Sequence, residues 1–189
     1  MILTVTGPSA SGKTSLARAL RLKIPGAVVL GSITTREGRP SDLPGEYRYE
    51  TQEGFSKLVD EKAFLWTVDV HGNHYGTRKE DVDSVIHDKF AIGILTVEAT
   101  AILHTYLKEK EATEKILSVY LDIVDEQMLH ARLNKRGDKP EDIELRIREC
   151  RNWAQARDAS GVPFMILDAR EDSVVLAERV LASLPPGIL

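Results

Sequence analysis

Several features that define common protein classes are scarce in this chain. Its 189 residues include one cysteine, Cys150, which excludes an internal disulfide and a cysteine-rich metal site and fits a reducing cytoplasm. No apolar run approaches the roughly 20 residues that a membrane helix needs, and the N-terminal MILTVTG lacks the basic segment of a signal peptide. Basic residues are outnumbered by acidic ones, 25 to 29, so no overall positive field indicates a nucleic-acid partner. We therefore expect a soluble, cytoplasmic protein that binds neither membrane nor nucleic acid.

A glycine-containing loop near the N-terminus carries the first chemical signal. Residues 7–14 read GPSASGKT and fit the pattern G-x-x-x-x-G-K-[ST]. Glycine reaches backbone angles closed to other residues, so successive N–H groups can point at phosphate oxygens. In this pattern Lys13 reaches the β- and γ-phosphates and the Thr14 hydroxyl ligates Mg²⁺. The predicted ATP-binding residues are Gly7, Pro8, Ser9, Ala10, Ser11, Gly12, Lys13, Thr14 and Ser15.

The order of apolar and amphipathic segments predicts the fold class. The chain is 42% hydrophobic and long enough for one domain with a substantial core. Apolar runs predict strands at 1–6, 27–30, 64–70, 90–97, 117–121 and 164–167. Helical spacing predicts helices at 14–23, 52–61, 79–88, 99–109, 125–136, 141–156 and 173–184. This alternation predicts an α/β fold with a mostly parallel central sheet flanked by helices. Residues 31–50 are predicted to be a loop or a small sub-sheet, within an irregular stretch suited to a second substrate.

Further motifs accumulate downstream of the loop. They are SITTR at 32–36, Arg39, GEYRY at 45–49, Phe55 and GNHYGT at 72–77. Together with GPSASGKT, their order and spacing resemble the guanylate kinase family from residue 2 to about residue 180. The resemblance implies a P-loop kinase fold in a single domain, 1–189. It comprises a core (1–31, 81–124 and 151–189), a small acceptor-binding insert (32–80) and a helical arginine lid (125–150).

The resemblance also implies a reaction, in which ATP passes its γ-phosphate to GMP, giving ADP and GDP, with Mg²⁺ as cofactor. At four positions the family holds the phosphate of the nucleoside monophosphate, and these correspond to Arg36, Arg39, Tyr47 and Tyr75. The residue types suit this role, because guanidinium groups grip phosphate oxygens in pairs and phenols donate hydrogen bonds. Oligomeric state is left open between monomer and homodimer.

The base-reading positions match the family only in part. Ser32 and Thr77 match its hydroxyls, and Glu98 keeps one of its two strand-end carboxylates. Where the family usually has a glutamate after Phe-Leu, this chain has Trp66. A carboxylate is the complementary partner of guanine's N1–H and amino group, whereas a tryptophan can stack on a base, fill its pocket or belong to the core.

The stretch 125–149 resembles the family's mobile lid. Arg132, Arg136 and Arg146 match its arginines, with one deletion in the turn and Asp138 where a threonine is usual. With Lys13 these three are the predicted catalytic residues, since phosphoryl transfer depends on positioned positive charge and needs no dedicated base here. A salt-bridged surface helix is the alternative, because acidic residues are interleaved with the arginines.

Two other functions stay open at this level. A related branch, the ribose 1,5-bisphosphate kinases, phosphorylates a sugar phosphate without a base, which the loss of glutamate at Trp66 would permit. A guanylate-kinase-like binding module without activity is the second alternative, although such modules usually lose the glycine loop that this chain keeps.

Overall fold

The computed structural model describes residues 1–40, 42–70, 72–87, 89–123 and 125–188, with the backbone alone for residue 151. The strands are β1 Ile2–Thr6, β2 Val28–Val29, β3 Ser32–Thr34, β4 Tyr47–Tyr49, β5 Phe64–Val70, β6 Asn73–Arg78, β7 Ala91–Ile94, β8 Ile116–Asp122 and β9 Phe164–Asp168. The α-helices are α1 Lys13–Lys23, α2 Gln52–Asp60, α3 Lys79–Ile86, α4 Val97–Glu109, α5 Glu126–Arg136, α6 Pro140–Ala159 and α7 Ser173–Ala182, with a 3₁₀ turn at Thr113–Lys115.

Five strands form a parallel central sheet in the order β2-β7-β1-β8-β9. The central strand β1 is buried along its whole length, as its unbroken apolar and β-branched sequence predicts for a strand covered on both faces. The mostly parallel sheet flanked by helices is therefore confirmed. Because parallel strands end at the same edge, the loop that follows β1 lies at the edge where ligands bind in such sheets.

Alternate residues of β1 enter two different hydrophobic clusters, one on each face of the sheet. Leu3 and Val5 pack with residues of α1 and α7, whereas Ile2 packs with residues of α3 and α4. The period of two along a strand separates these side chains. The second cluster also contains Trp66 of β5, which connects this face of the sheet to the second sheet.

The second sheet decides between the two readings of residues 31–50 in favour of a sub-sheet. Its order is β4-β3-β6-β5, with β3 and β4 parallel and β6 antiparallel to both β3 and β5. The register places Thr34 opposite Tyr75, and Ser32 opposite Tyr47. The sheet thereby gathers several predicted acceptor residues that lie up to 45 positions apart in sequence.

Several element ends differ from prediction by one to three residues. The strand predicted at 90–97 ends at Ile94, because the Thr96 hydroxyl accepts a hydrogen bond from the Ala99 amide at 3.3 Å and starts α4 earlier. The helix predicted at 141–156 runs from Pro140, a residue favoured in a first helical turn, to Ala159. The helix predicted at 79–88 ends at Ile86, and its last predicted residue lies outside the described part of the chain.

Among the helices that the structure describes, none combines the length and the apolar character needed to cross a membrane.

Candidate active site

The loop between β1 and α1 is shaped for an anion. Gly7 has φ +148°, and a side chain there would lie 2.7 Å from the carbonyl oxygen of Leu121, so glycine is required. Gly12, with φ +101°, is the N-cap of α1 and has no side chain to cap the first helical amides. Uncapped amides at a helix N-terminus carry the positive end of the helix dipole. The loop therefore offers N–H groups and positive potential to a phosphate.

Lys13 is folded back onto this loop. Its Nζ donates to the carbonyl oxygens of Gly7 at 2.8 Å and Pro8 at 2.7 Å. Desolvation lowers the pKa of Lys13 to about 8, and the neighbouring positive charges of Arg136 and Arg146 act in the same direction. The ammonium group is thus held where an incoming anion would stabilise its charged form.

Two adjoining cavities open beside the loop, with volumes of about 740 Å³ and about 200 Å³. The larger is lined by residues 9–16 of the loop and α1, by two arginines of α5, and by residues 169–173. Seven residues line both cavities: Ser9, Lys13, Arg36, Arg39, Tyr47, Tyr75 and Ile94. The glycine loop and the four predicted phosphate-gripping residues therefore face one continuous space.

Arg36 is held in position by a carboxylate. Its guanidinium is only 8% exposed, and Nη2 donates to both oxygens of Asp42 at 3.0 and 2.9 Å. Burial alone would raise the pKa of Asp42, but hydrogen bonds from the Arg39 amide, the Tyr49 hydroxyl and Arg36 lower it. A charged Asp42 thus fixes the Arg36 fork at the cavity wall, and the exposed Arg39 lies beside it.

The two tyrosines pack edge to face with their ring centroids 5.9 Å apart. The Tyr47 ring also faces the Arg36 guanidinium at 4.8 Å. Burial, followed by the charge of Glu46, raises the pKa of Tyr47, so its hydroxyl stays protonated and can donate. Glu46 is itself buried and accepts from the Leu43 amide at 2.8 Å. Two phenols and two guanidinium groups therefore converge on the space that the cavities share.

Two arginines of the predicted lid converge on the glycine loop. Nη2 of Arg136 and Nη1 of Arg146 both donate to the Ser9 hydroxyl, at 3.3 and 2.8 Å. The Asp138 carboxylate lies between them, 2.8 Å from Arg136 Nε and 3.2 Å from Arg146 Nε. The hydrogen bond from Arg136 is the main cause of the lowered pKa of Asp138. A carboxylate thus occupies the space between two arginines predicted to meet the transferred phosphoryl group.

Arg132 has a different set of partners. It donates to the carbonyl oxygens of Ala10 at 3.3 Å, Ser11 at 3.4 Å and Ala169 at 2.7 Å. Its guanidinium lines the larger cavity but is committed to the backbone of the loop. These contacts stabilise the loop conformation, and they engage the Arg132 guanidinium so that it is not a free positive charge for a ligand.

Thr14 is the residue of this site best placed to hold Mg²⁺. Within the described residues, no group of three or more His, Cys, Asp or Glu side chains could hold a metal ion. Mg²⁺ in phosphate-transfer sites usually takes one or two protein ligands, its other ligands being phosphate oxygens and water. Thr14 is half-buried on the wall of the larger cavity, and the neighbouring Ser11 hydroxyl is buried there without a hydrogen-bond partner. A threonine hydroxyl beside an unpaired hydroxyl fits a metal–triphosphate group.

The wall of the smaller cavity comes from β5, the start of α4 and the lid helix α6. It receives apolar side chains from β5 and from the segment that runs from the end of β7 into the first turn of α4: Trp66, Val68, Val70, Ile94, Leu95 and Ala99. The Ser32 hydroxyl also faces it and bonds to the Thr77 hydroxyl at 2.8 Å. From α6 come Arg146, Glu149 and Trp153. The cavity is thus mainly apolar on the β5 side and mixed on the α6 side.

A family model described as guanylate kinase matches residues 1–160. The chain belongs to the guanylate kinase family. The resemblance inferred from the sequence motifs is therefore confirmed, and the family match includes the glycine loop, the second sheet and all of the predicted lid.

Individual relatives agree with the family match. The guanylate kinase of Wolinella succinogenes is 33% identical over 193 aligned residues, which cover 100% of this chain and 86% of that protein. The guanylate kinase of Bordetella pertussis is 31% identical over 190 residues, covering 95% of this chain and 80% of that protein. A crystal structure of guanylate kinase from Anaplasma phagocytophilum superposes with a TM-score of 0.70 over 97% of this chain and 84% of that one. Its 19% identity makes it evidence for the fold alone.

Two predicted acceptor residues do not reach the cavity walls. Glu98 is exposed in the first turn of α4 and lines neither cavity. The earlier start of α4, capped by Thr96, turns the Glu98 side chain outward, so its predicted contact with the acceptor gets no support from this placement. Thr77 is fully buried behind Ser32 and can act only through that hydroxyl. Gly7 and Pro8 contribute backbone carbonyls to Lys13.

Four residues of the site escaped the sequence reasoning. Asp42 and Glu46 stand among the gripping residues, and Glu149 and Trp153 line the smaller cavity. The signal for the last two was present, since residues 146, 149 and 153 follow helical spacing and share one face. Glu46 belongs to the GEYRY motif, which indicates no role for it, and Asp42 lies in an irregular segment where spacing carries no signal.

Proposed function

We propose that this chain catalyses phosphoryl transfer from ATP to GMP, giving ADP and GDP. The carrying observation is the shared cavity, in which the glycine loop with Lys13 faces Arg36, Arg39, Tyr47 and Tyr75. Such a space suits one nucleotide's phosphates on one side and a second phosphate on the other. The family membership and the curated relatives named guanylate kinase support GMP as the acceptor.

The donor side binds by charge and backbone geometry. The amides of the loop and of the first turn of α1 hold phosphate oxygens, while Lys13 exchanges its carbonyl partners for phosphate. Arg132 keeps the loop in shape through its three carbonyl contacts, so we assign it a positioning part. When bound, Mg²⁺ would be held in part by Thr14 and would neutralise charge on the transferred group.

The acceptor side orients a phosphate for attack. Arg36 and Arg39 provide fixed positive charge, and the phenol hydroxyls of Tyr47 and Tyr75 donate hydrogen bonds. Since a monophosphate ester carries about two negative charges at neutral pH, its attacking oxygen is already ionised. A general base is therefore unnecessary, and positioning provides most of the catalytic effect.

The lid supplies charge where the transferred group passes. Arg136 and Arg146 meet above Ser9 of the loop, and moving from Asp138 to the phosphoryl group would place them on its developing charge. Closure of this segment also excludes water, so that ATP is not hydrolysed. We accordingly propose that residues 125–150 act as the lid, 32–80 as the acceptor-binding part and the remainder as the core of one domain.

We propose that the protein is a cytoplasmic enzyme, either a monomer or a homodimer, whose partners are ATP and GMP or dGMP. The single cysteine is consistent with a reducing compartment.

The acceptor screen tests the reaction directly. Purified protein with Mg²⁺ and ATP is assayed for ADP with GMP, dGMP, AMP, UMP and ribose 1,5-bisphosphate as separate acceptors. We expect GMP and dGMP to be preferred, and Lys13→Ala to abolish turnover while the protein stays folded. ADP formation with the sugar phosphate alone would overturn the nucleotide assignment. An absence of turnover with every acceptor, together with tight peptide binding, would show a binding module instead.

A further inference from the structure

Three residues of helix α6, in the proposed lid, line the smaller cavity. Arg146, Glu149 and Trp153 are spaced by three and four residues, which puts them on one face of a helix. All three line the cavity, and the side chain of Arg146 is only 14% exposed. Glu149 and Trp153 are half-buried. The same cavity is lined by Trp66 of β5.

The acidic groups around this cavity are few. Of the described residues that line it, Glu149 is the one with a carboxylate. The β5 side presents Trp66, Val68 and Val70, which accept no hydrogen bond from a base edge. The Ser32 hydroxyl is engaged with Thr77, and the Thr96 hydroxyl caps α4. Asn73 also lines the cavity, but its amide oxygen is a neutral acceptor, which forms weaker hydrogen bonds than a carboxylate does.

GMP, the acceptor of the proposed reaction, carries a base whose hydrogen-bond donors need an acceptor on the protein. Guanine presents an N1–H and an amino group side by side, and a carboxylate accepts both hydrogen bonds at once. Adenine instead presents an acceptor at N1, which a carboxylate repels. Leaving a buried donor of the base without a partner would weaken binding, so a site selective for guanine requires an acceptor on its wall.

We propose that Glu149 of the lid helix supplies this acceptor and determines selectivity for guanine in place of the carboxylate that β5 lacks. The inference rests on the proposed reaction. The same face of α6 also carries Arg146, which reaches Ser9 of the glycine loop at 2.8 Å. Recognition of the base and delivery of a lid arginine to the phosphoryl group thereby depend on one helix.

Glu149→Gln tests the proposal through a ratio of specificities. The substitution keeps the size of the side chain but replaces one carboxylate oxygen with an N–H donor, which opposes guanine N1–H and suits adenine N1. kcat/KM is measured for GMP and for AMP in the unmodified protein, in Glu149→Gln and in Glu144→Gln. Glu144 is exposed on the same helix and serves as the matched control.

We expect the GMP-to-AMP ratio of kcat/KM to fall at least tenfold in Glu149→Gln and to stay within twofold in the control. A merely structural role would lower both kcat/KM values together and leave the ratio unchanged. A ratio that moves less than threefold while the unmodified protein turns over GMP would overturn this inference alone. If the unmodified protein does not phosphorylate GMP, the proposed function falls and the inference falls with it.

Discussion

Replacement of Trp66 by glutamate has opposite expected effects according to the family resemblance and according to the packing around this residue. By alignment, Trp66→Glu restores the family's base-reading carboxylate and should increase activity on GMP. In the structure, Trp66 is 5% exposed and belongs to the hydrophobic cluster that contains Leu30, Val82 and Leu95. The substitution removes a large core side chain and buries a carboxylate among apolar groups. We therefore expect loss of stability and no increase in GMP activity.

The magnitude follows from two contributions. Truncating a core tryptophan typically costs about 3–5 kcal/mol, against a total stability of roughly 5–15 kcal/mol for a domain. In addition, burial raises the pKa of the introduced carboxylate in the folded protein above its unfolded value of about 4.3. As pH rises above that value, the unfolded chain releases the proton first. The variant should therefore lose a further ~1.4 kcal/mol per pH unit until the folded pKa is passed.

Urea denaturation of Trp66→Glu at pH 5 and pH 7.5 measures both contributions. Trp66→Gln is the control, because it creates a similar cavity without an ionisable group, so its deficit should not depend on pH in this way. The packing argument would be refuted by a free energy of unfolding within about 1 kcal/mol of the unmodified protein. A threefold or greater increase in kcat/KM for GMP would show that position 66 can read the base after all.

Three further outcomes are expected. Because the pKa of Lys13 is about 8, ATP binding at pH 8 should be accompanied by uptake of a few tenths of a proton, since phosphate stabilises the ammonium form. Calorimetry in two buffers of different ionisation enthalpy measures this proton uptake. Equal proton uptake by Lys13→Met would exclude this lysine as its source. Tyr75→Phe should raise KM for GMP about tenfold and leave KM for ATP unchanged, since it removes one hydrogen-bond donor to the acceptor phosphate. The control is Tyr106→Phe, which should change neither constant, because the Tyr106 hydroxyl bonds to an aspartate outside the site. Equal effects of the two substitutions would show that Tyr75 does not bind the acceptor phosphate. Asp138→Asn should lower Tm in the absence of nucleotide, because Arg136 and Arg146 lose their counter-charge. It should also enlarge the rise in Tm that ATP produces, because the bound phosphates replace that counter-charge. An unchanged ATP-induced rise in Tm would count against the proposal that the lid binds an anion.

The helices, most strands and the glycine loop could be predicted because each depends on local spacing. The apolar run of β1 and the helical period of α1 identify their own secondary structure, and glycine at positions 7 and 12 is required by backbone angles that other residues rarely adopt. The start of α4 is harder to predict from the sequence. Thr96 lies within the strand predicted at 90–97, but its hydroxyl caps α4, so the helix starts earlier and the Glu98 side chain is turned outward.

The sequence by itself determined the fold class and the glycine loop, because these depend on periodicity and on chemistry within a short motif. The family resemblance supplied the residues that we propose to grip a second phosphate. Only the tertiary structure decided which side chains share a cavity. It committed Arg132 to backbone carbonyls, placed Asp138 between Arg136 and Arg146, and brought Glu149 and Trp66 to the wall of one cavity. Such neighbours come from different elements packed across a sheet edge, and contacts between segments distant in sequence leave no periodic signal in the sequence itself.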